Sequence, residues 1–293
     1  MIIGYLYALI TSVFFSLYLI PRKFSKNSPA TYTAFMGLGF FIPSLFYAMT
    51  LPDFSALLNP LLLLAFLVGI IWMVASVFFV TAIDKLGLSR SNQWKNFQGP
   101  IGAGLSLLVL AEYQTTNLPC VLIAICAIFV SALLFSIKKK TEKVIDRRGI
   151  WYALAASVLF GANSVIQKYV TINVLEIPSQ LLYFSAGVFL SALIYLWLKN
   201  KNLNSLQYTF AKDGLRPMLA GLIYFVAAYF SVMANKIIPN SIAFTIIQFN
   251  AVWTILIGVL IFREIDFRAH WRRILTGLLF AIISIGVLFL GAL

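Results

Sequence analysis

Residues 96–98 read Asn-Phe-Gln and residues 248–250 read Gln-Phe-Asn, each inside a stretch otherwise apolar enough to lie in a membrane. A side-chain amide carries both donor and acceptor atoms, so such groups satisfy hydroxyls of either sense and suit a neutral polyhydroxyl or zwitterionic ligand. Asn92, Gln93, Trp94 and Lys95 precede Asn96 and Gln98, while Thr245 and Trp253 flank Gln248 and Asn250. Polar side chains in hydrocarbon are costly unless they meet one another, backbone or water, and this makes them a binding-site signal by default. The competing reading is that the amides tie helices together, at about 0.6 kcal/mol for each interhelical bond. Five polar residues within the seven positions from Asn92 to Gln98 argue for a site there.

Further candidates lie at comparable depth. Trp72, Trp94 and Trp253 are deep enough either to pack on a ligand's apolar face or to fill a core, whereas Trp151, Trp197 and Trp271 lie near span ends, where an interfacial belt is expected. Lys95 either snorkels to the interface or acts as a handle for a carboxylate or phosphate. Asn163, Ser164 and Gln167 share one apolar stretch, and Tyr224 and Tyr229 another. Pro100 denies an amide hydrogen to the carbonyl of Asn96, so a helix break is expected at Gly99 and Pro100, exposing backbone acceptors.

Other chemistries lack their parts. All nine acidic residues fall in connectors or at span ends, with Glu112 and Glu264 read as solvated helix ends and, as the alternative, as gate residues paired with nearby arginines, so the buried carboxylate that cation export needs is missing. His270, the only histidine, sits at a span edge, and no acid, base, nucleophile or metal set appears at depth; an enzyme is not expected. Cys120 and Cys126 stand six apart on different helix faces and give neither disulfide nor metal site. No nucleotide-binding motif occurs, and no cofactor is expected.

The elements that must position these residues follow from composition. Of 293 residues 61% are hydrophobic and 11% charged, and the breaks between apolar runs delimit ten spans of an all-α polytopic membrane protein: about 2–20, 32–51, 60–82, 88–111, 117–137, 149–168, 178–198, 214–234, 239–262 and 270–292. The first is too long for a signal-peptide core and lacks a cleavage site, so it is read as a retained span. Net charge is +13, but 19 of the 22 basic residues lie in odd-numbered connectors or at their edges, which explains the charge by orientation rather than by nucleic acid. That asymmetry puts the odd connectors in the cytoplasm and both termini outside an inner or plasma membrane.

The longest charged connector divides the spans five and five: residues 1–137 form one repeat, 138–148 a basic cytoplasmic connector, and 149–293 a second repeat. Residues 4–24 match 149–169 at eight of 21 positions, and laying Glu112 on Glu264 superposes Asn-Phe-Gln on Gln-Phe-Asn. Because five is odd, the repeats are inverted, and such folds bind substrate near the midplane where the repeats meet.

The pattern A..K.GLS.........GP.........LAE from Ala82 to Glu112, with its echo A...IPNS to FRE from Ala234 to Glu264, resembles the drug/metabolite transporter superfamily, of the ten-span EamA-like type, over nearly the whole chain. Within it, IDKLGLSRSNQWKNFQGPIGAGLSLLVLAEY is similar to the glucose/ribose porter group. The resemblance implies a central cavity lined by spans one, three, four, six, eight and nine, and alternating access for a small polar metabolite, a sugar first. Amino acids or other zwitterions, organic cations and drugs, and lipid headgroups are the alternatives kept open. So are a coupling proton or sodium ion, the oligomeric state, and the cytoplasmic termini with which this family is often drawn.

Overall fold

The computed structural model describes residues 1–135, 146–200, 213–262 and 267–291, so most of the basic connector and Glu264 lie outside the described residues. Every regular element among them is helical. Helices α1 (Ile2–Leu17) and α2 (Ile20–Phe24) run on as one apolar unit, followed by α3 (Pro29–Ala48) and α4 (Leu62–Leu86). Next come α5 (Leu88–Lys95), α6 (Gln98–Val109) and α7 (Leu118–Leu134). The second half holds α8 (Arg147–Asn173), α9 (Ile177–Asn200), α10 (Leu215–Ile237), α11 (Asn240–Ile247), α12 (Asn250–Leu260) and α13 (Phe267–Leu290). Among the described residues, eight helical units are long and apolar enough to cross a membrane, and α6 and α7 are shorter apolar helices. The chain is a polytopic helical membrane protein, as hydrocarbon requires of a backbone that must satisfy its own polar groups.

Local chemistry sets the helix ends. Ser28, Asn117 and Asp146 cap α3, α7 and α8 by accepting backbone N–H groups from Thr31, Cys120 and Arg148. Gly87 takes φ 79°, a left-handed turn open to glycine, and it alone separates α4 from α5. Ala111 takes φ 53° without that licence, and the turn it makes aims Glu112 back into the protein.

Two expected spans prove to be pairs of helices. The stretch 88–111 breaks at Asn96–Phe97, between α5 and α6, and 239–262 breaks at Gln248–Phe249, between α11 and α12. The first break therefore comes before Gly99 and Pro100, which sit in the opening turn of α6, where proline's missing N–H is tolerated. Its bonding recurs in the second: Gly99 N–H donates to the Asn96 carbonyl and Ala251 N–H to the Gln248 carbonyl, both at 3.0 Å. Position 252 is valine and the second break forms without proline.

Packing joins the halves. α1 lies against α10, α11 and α12, and α8 against α4, α5 and α6; α3 packs on α9 and α10, and α4 on α9. Two crossings are backbone contacts: a Cβ on Gly39 would stand 2.1 Å from the Met218 carbonyl oxygen, and one on Gly69 2.2 Å from that of Phe184. Small residues allow such approach, which drives association where lipid is as apolar as the side chains. The core at this centre is aromatic, with Tyr18, Trp72, Phe160, Phe184 and Tyr224 buried together.

Candidate substrate cavity between two broken helices

Where the two broken helices cross, Gln98 Nε2 donates to Gln248 Oε1 at 3.2 Å, so the two amide motifs meet directly. Gln248 Nε2 turns back to the Phe244 carbonyl (3.1 Å). Beside this contact lies a cavity offering ≈ 40 Å³ to the centre of a water-sized sphere, space for a few water molecules. Trp72, Lys95, Gln98, Asn163, Gln167 and Tyr224 of the expected set line it.

The aromatic wall is built by α1, α4, α8 and α10. The Trp72 and Tyr224 ring centroids are 4.4 Å apart, Phe15 stacks on Tyr224 at 5.5 Å, and Tyr18 meets it edge-on at 5.3 Å. The polar wall adds Ser164, Ser231, Asn235 and Asn240 to the amides. Asn240 Nδ2 donates to Ser106 Oγ (2.6 Å) and Ser164 Oγ (3.3 Å). Asn163 Oδ1, Asn235 Oδ1 and Asn240 Oδ1 are buried with no partner. Unpaired buried acceptors are costly, and here they belong to residues lining one cavity.

Lys95 does not snorkel. It is 2% exposed, with its ammonium 5.1 Å from the Phe79 ring centroid and 5.9 Å from that of Phe160.

The other expected residues lie elsewhere, and for several the helix-tying role holds. Asn92 Nδ2 donates to Asn250 Oδ1 (3.3 Å) and Thr254 Oγ1 (3.0 Å), joining α5 to α12. Trp253 Nε1 donates to Ser12 Oγ (2.9 Å) and clamps α12 to α1. Thr245 Oγ1 is spent on the Ser241 carbonyl within α11. Trp94 stacks on Phe97, which meets Phe129 of α7, on a side not facing the cavity. Asn96 is buried with both amide atoms unpaired, yet it does not line the cavity. The Gln93 side chain lies outside the described residues.

Glu112 overturns the reading of a solvated helix end. It is 6% exposed, and its two oxygens accept the N–H groups of Asn240 (2.7 Å) and Ser241 (2.8 Å). A carboxylate here satisfies orphan donors and the positive end of the α11 dipole. Lys168 complements it: its buried ammonium donates to the carbonyls of Asn235 and Ile238 (2.9 Å for the latter), at the end of α10. The short joint between α10 and α11, flanked by the two cavity asparagines Asn235 and Asn240, is thus held by one charge from each half.

Sequence reasoning passed over Phe15, Ser231, Asn235, Asn240 and Phe244. Ser231 and Asn235 were legible in principle, since they follow Tyr224 by seven and eleven residues and share its helix face. Asn240 carries no such signal; only the fold of the joint turns it inward.

The family described as "Sugar transport protein" matches residues 5–292. Two proteins named "Probable glucose uptake protein GlcU", from two strains of Bacillus cereus, are 22% identical over 231 residues and 23% over 234, each alignment spanning 75% of this chain and 75% of the relative. One solved crystal structure superposes with TM-score 0.71 over 98% of this chain and 96% of its own, at 13% identity, a likeness of fold.

Proposed function

The chain belongs to the sugar transport protein family, and from that premise we propose that it carries a hexose across a bacterial-type plasma membrane by alternating access, with the cavity at the crossing of the two broken helices as its binding site. The observation that carries the assignment of the site is three orphaned amide oxygens, on Asn163, Asn235 and Asn240, lining one cavity with the aromatic pair Trp72 and Tyr224. Sugar hydroxyls supply the missing donors, and aromatic faces suit the C–H faces of the ring. The glucose named for the Bacillus relatives, and uptake as the direction, are carried over on the same premise.

The mechanism rests on two inverted five-span repeats, the architecture of the drug/metabolite transporter superfamily. Three features support it. Both breaks fall at positions 152 apart, the separation of Glu112 and Glu264. Four backbone bonds of the first break, from Asn96, Phe97, Gly99 and Ile101, recur 152 positions later in the second. The pairing of α4 with α8 has its counterpart in α10 with α1. A hexose does not fit ≈ 40 Å³, so the walls part on loading, and rocking one repeat against the other opens the ends in turn. With the positive-inside orientation both termini lie outside, and the cavity leans to the outer end, where Asn235 and Asn240 stand.

The test is glucose binding to the purified protein and its counterflow in proteoliposomes. Asn163→Leu removes an acceptor that no other protein group uses, and is expected to weaken glucose binding about tenfold or more with little change in apparent melting temperature. Unaltered glucose affinity in Asn163→Leu and Asn235→Leu alike would sink the site.

A further inference from the structure

Among the buried charged side chains of the described residues, Arg22, Glu112 and Lys168 are compensated in plain view. Arg22 pairs with Asp84, Glu112 accepts two backbone N–H groups, and Lys168 is held by two carbonyls. Lys95 differs: its ammonium faces only the rings of Phe79 and Phe160. Among the described residues it is the one charged residue on the wall of the cavity.

Ring faces return only part of what an ammonium loses on leaving water. The remainder is available to a ligand that brings a negative charge, because a charge-assisted bond in a water-poor site is strong. The rest of the wall states what else the ligand must carry. The orphaned oxygens of Asn163, Asn235 and Asn240 call for hydroxyl donors, and the Trp72–Tyr224 face for a compact ring.

We infer that Lys95 sorts sugars by charge: a sugar acid binds more tightly than the neutral sugar of the same ring, and an amino sugar is rejected. The carboxylate of a uronic acid meets the Lys95 ammonium while its hydroxyls donate to the amide oxygens. An ammonium-bearing sugar places a second positive charge in a space whose described wall offers no carboxylate. This deepens the hexose reading and rests on it, extending the substrate class to sugar acids.

The experiment is calorimetric titration of the purified full-length protein in detergent at pH 7 with D-glucose, D-glucuronate and D-glucosamine, which share one ring. Glucuronate is expected to bind about tenfold or more tightly than glucose, and glucosamine about tenfold or more weakly. Lys95→Met should bring the three affinities together, and Lys95→Arg should keep their order. Equal affinities in the unaltered protein, or an order that survives in Lys95→Met, overturns the inference. Should Lys95→Met not fold, the unaltered protein and Lys95→Arg still decide it. Glucose binding with a flat order removes the charge filter alone; binding of none of the three removes the sugar reading with it.

Discussion

Asn163, Ser231 and Asn235 line one end of the central space, and Tyr18, Phe79 and Ile83, which stand 145 or 152 positions earlier, line the other. At the first end amides and hydroxyls face an aromatic wall around ≈ 40 Å³; at the second, mostly aromatic and aliphatic side chains with Arg22 and Ser76 surround ≈ 10 Å³. The second end is also tied shut. Arg22 Nη2 meets Asp84 Oδ1 at 2.5 Å and Oδ2 at 2.6 Å, Nη1 reaches the Asn27 carbonyl at 2.7 Å, and the guanidinium lies 5.1 Å from the Tyr32 ring centroid. Asp213, at the start of α10, holds Ser25 Oγ at 2.6 Å and the Lys26 N–H at 3.0 Å. At the first end three amide oxygens wait for partners, whereas at the second the charged groups are paired and the Tyr32 hydroxyl is buried without one. A carrier needs such inequality, since a protein closed or open equally at both ends would either trap its substrate or leak.

Four substitutions probe this contrast, beginning with the largest expected effect. Glu112→Ala removes both charge-assisted bonds that hold the polar end, at about 1.5–3 kcal/mol each. Its apparent melting temperature in detergent should fall clearly, with Glu112→Gln intermediate. Asp84→Asn opens the dry end. Arg22 is 7% exposed but the Asp84 side chain is 40% exposed, so the screened loss is about 1–2 kcal/mol. The sharper readout is access. In a background with Cys120 and Cys126 replaced by serine, Ser76→Cys should react faster with a maleimide once Asp84→Asn is added, and an unchanged rate would count against the lock.

The third concerns the breaks. Val252 stands where Pro100 stands in the other half, and its N–H donates to the Phe249 carbonyl at 2.9 Å. Val252→Pro should cost only that bond, about 1 kcal/mol, because it falls in the first turn of α12. Loss of folding would show that the two breaks are not equivalent. The smallest effect is at the surface. Asp146, exposed and outside the membrane, has its carboxyl held below the usual carboxylate range, first by its bond from Lys85 at 3.0 Å. A depressed carboxyl stabilises the fold above the unfolded value near 3.9 and loses that contribution as pH falls through the folded value. Asp146→Asn should therefore lower the melting temperature slightly at pH 7 and leave it unchanged at low pH, which narrows the drop below pH 4.

Much of this was legible before any coordinates. Long apolar runs allow only spanning helices, and the placement of Asn-Phe-Gln against Gln-Phe-Asn marks two segments that meet, although only the first carried the proline that announced a break. Residues such as Lys95, Asn163, Gln167 and Tyr224 were recognisable because a polar side chain at membrane depth must have a reason. Spacing along a helix says which residues share a face, but not what that face meets, and so Asn92, Asn250 and Trp253 looked like equals of Gln98 until the packing assigned them to neighbouring helices, and Thr245 until its hydroxyl turned to its own helix. Glu112 shows the same limit from the other side. It stands at the end of an apolar run, where water is the default partner, and only the left-handed turn at Ala111 and the approach of α11 bury it against two backbone donors. The sequence by itself determined a helical membrane protein, its family and that one helix would break near Pro100, because these follow from local polarity and chain chemistry. Which amides face the cavity, which charges go unpaired and which end is closed were decided by tertiary structure, because each depends on surfaces brought together from distant parts of the chain.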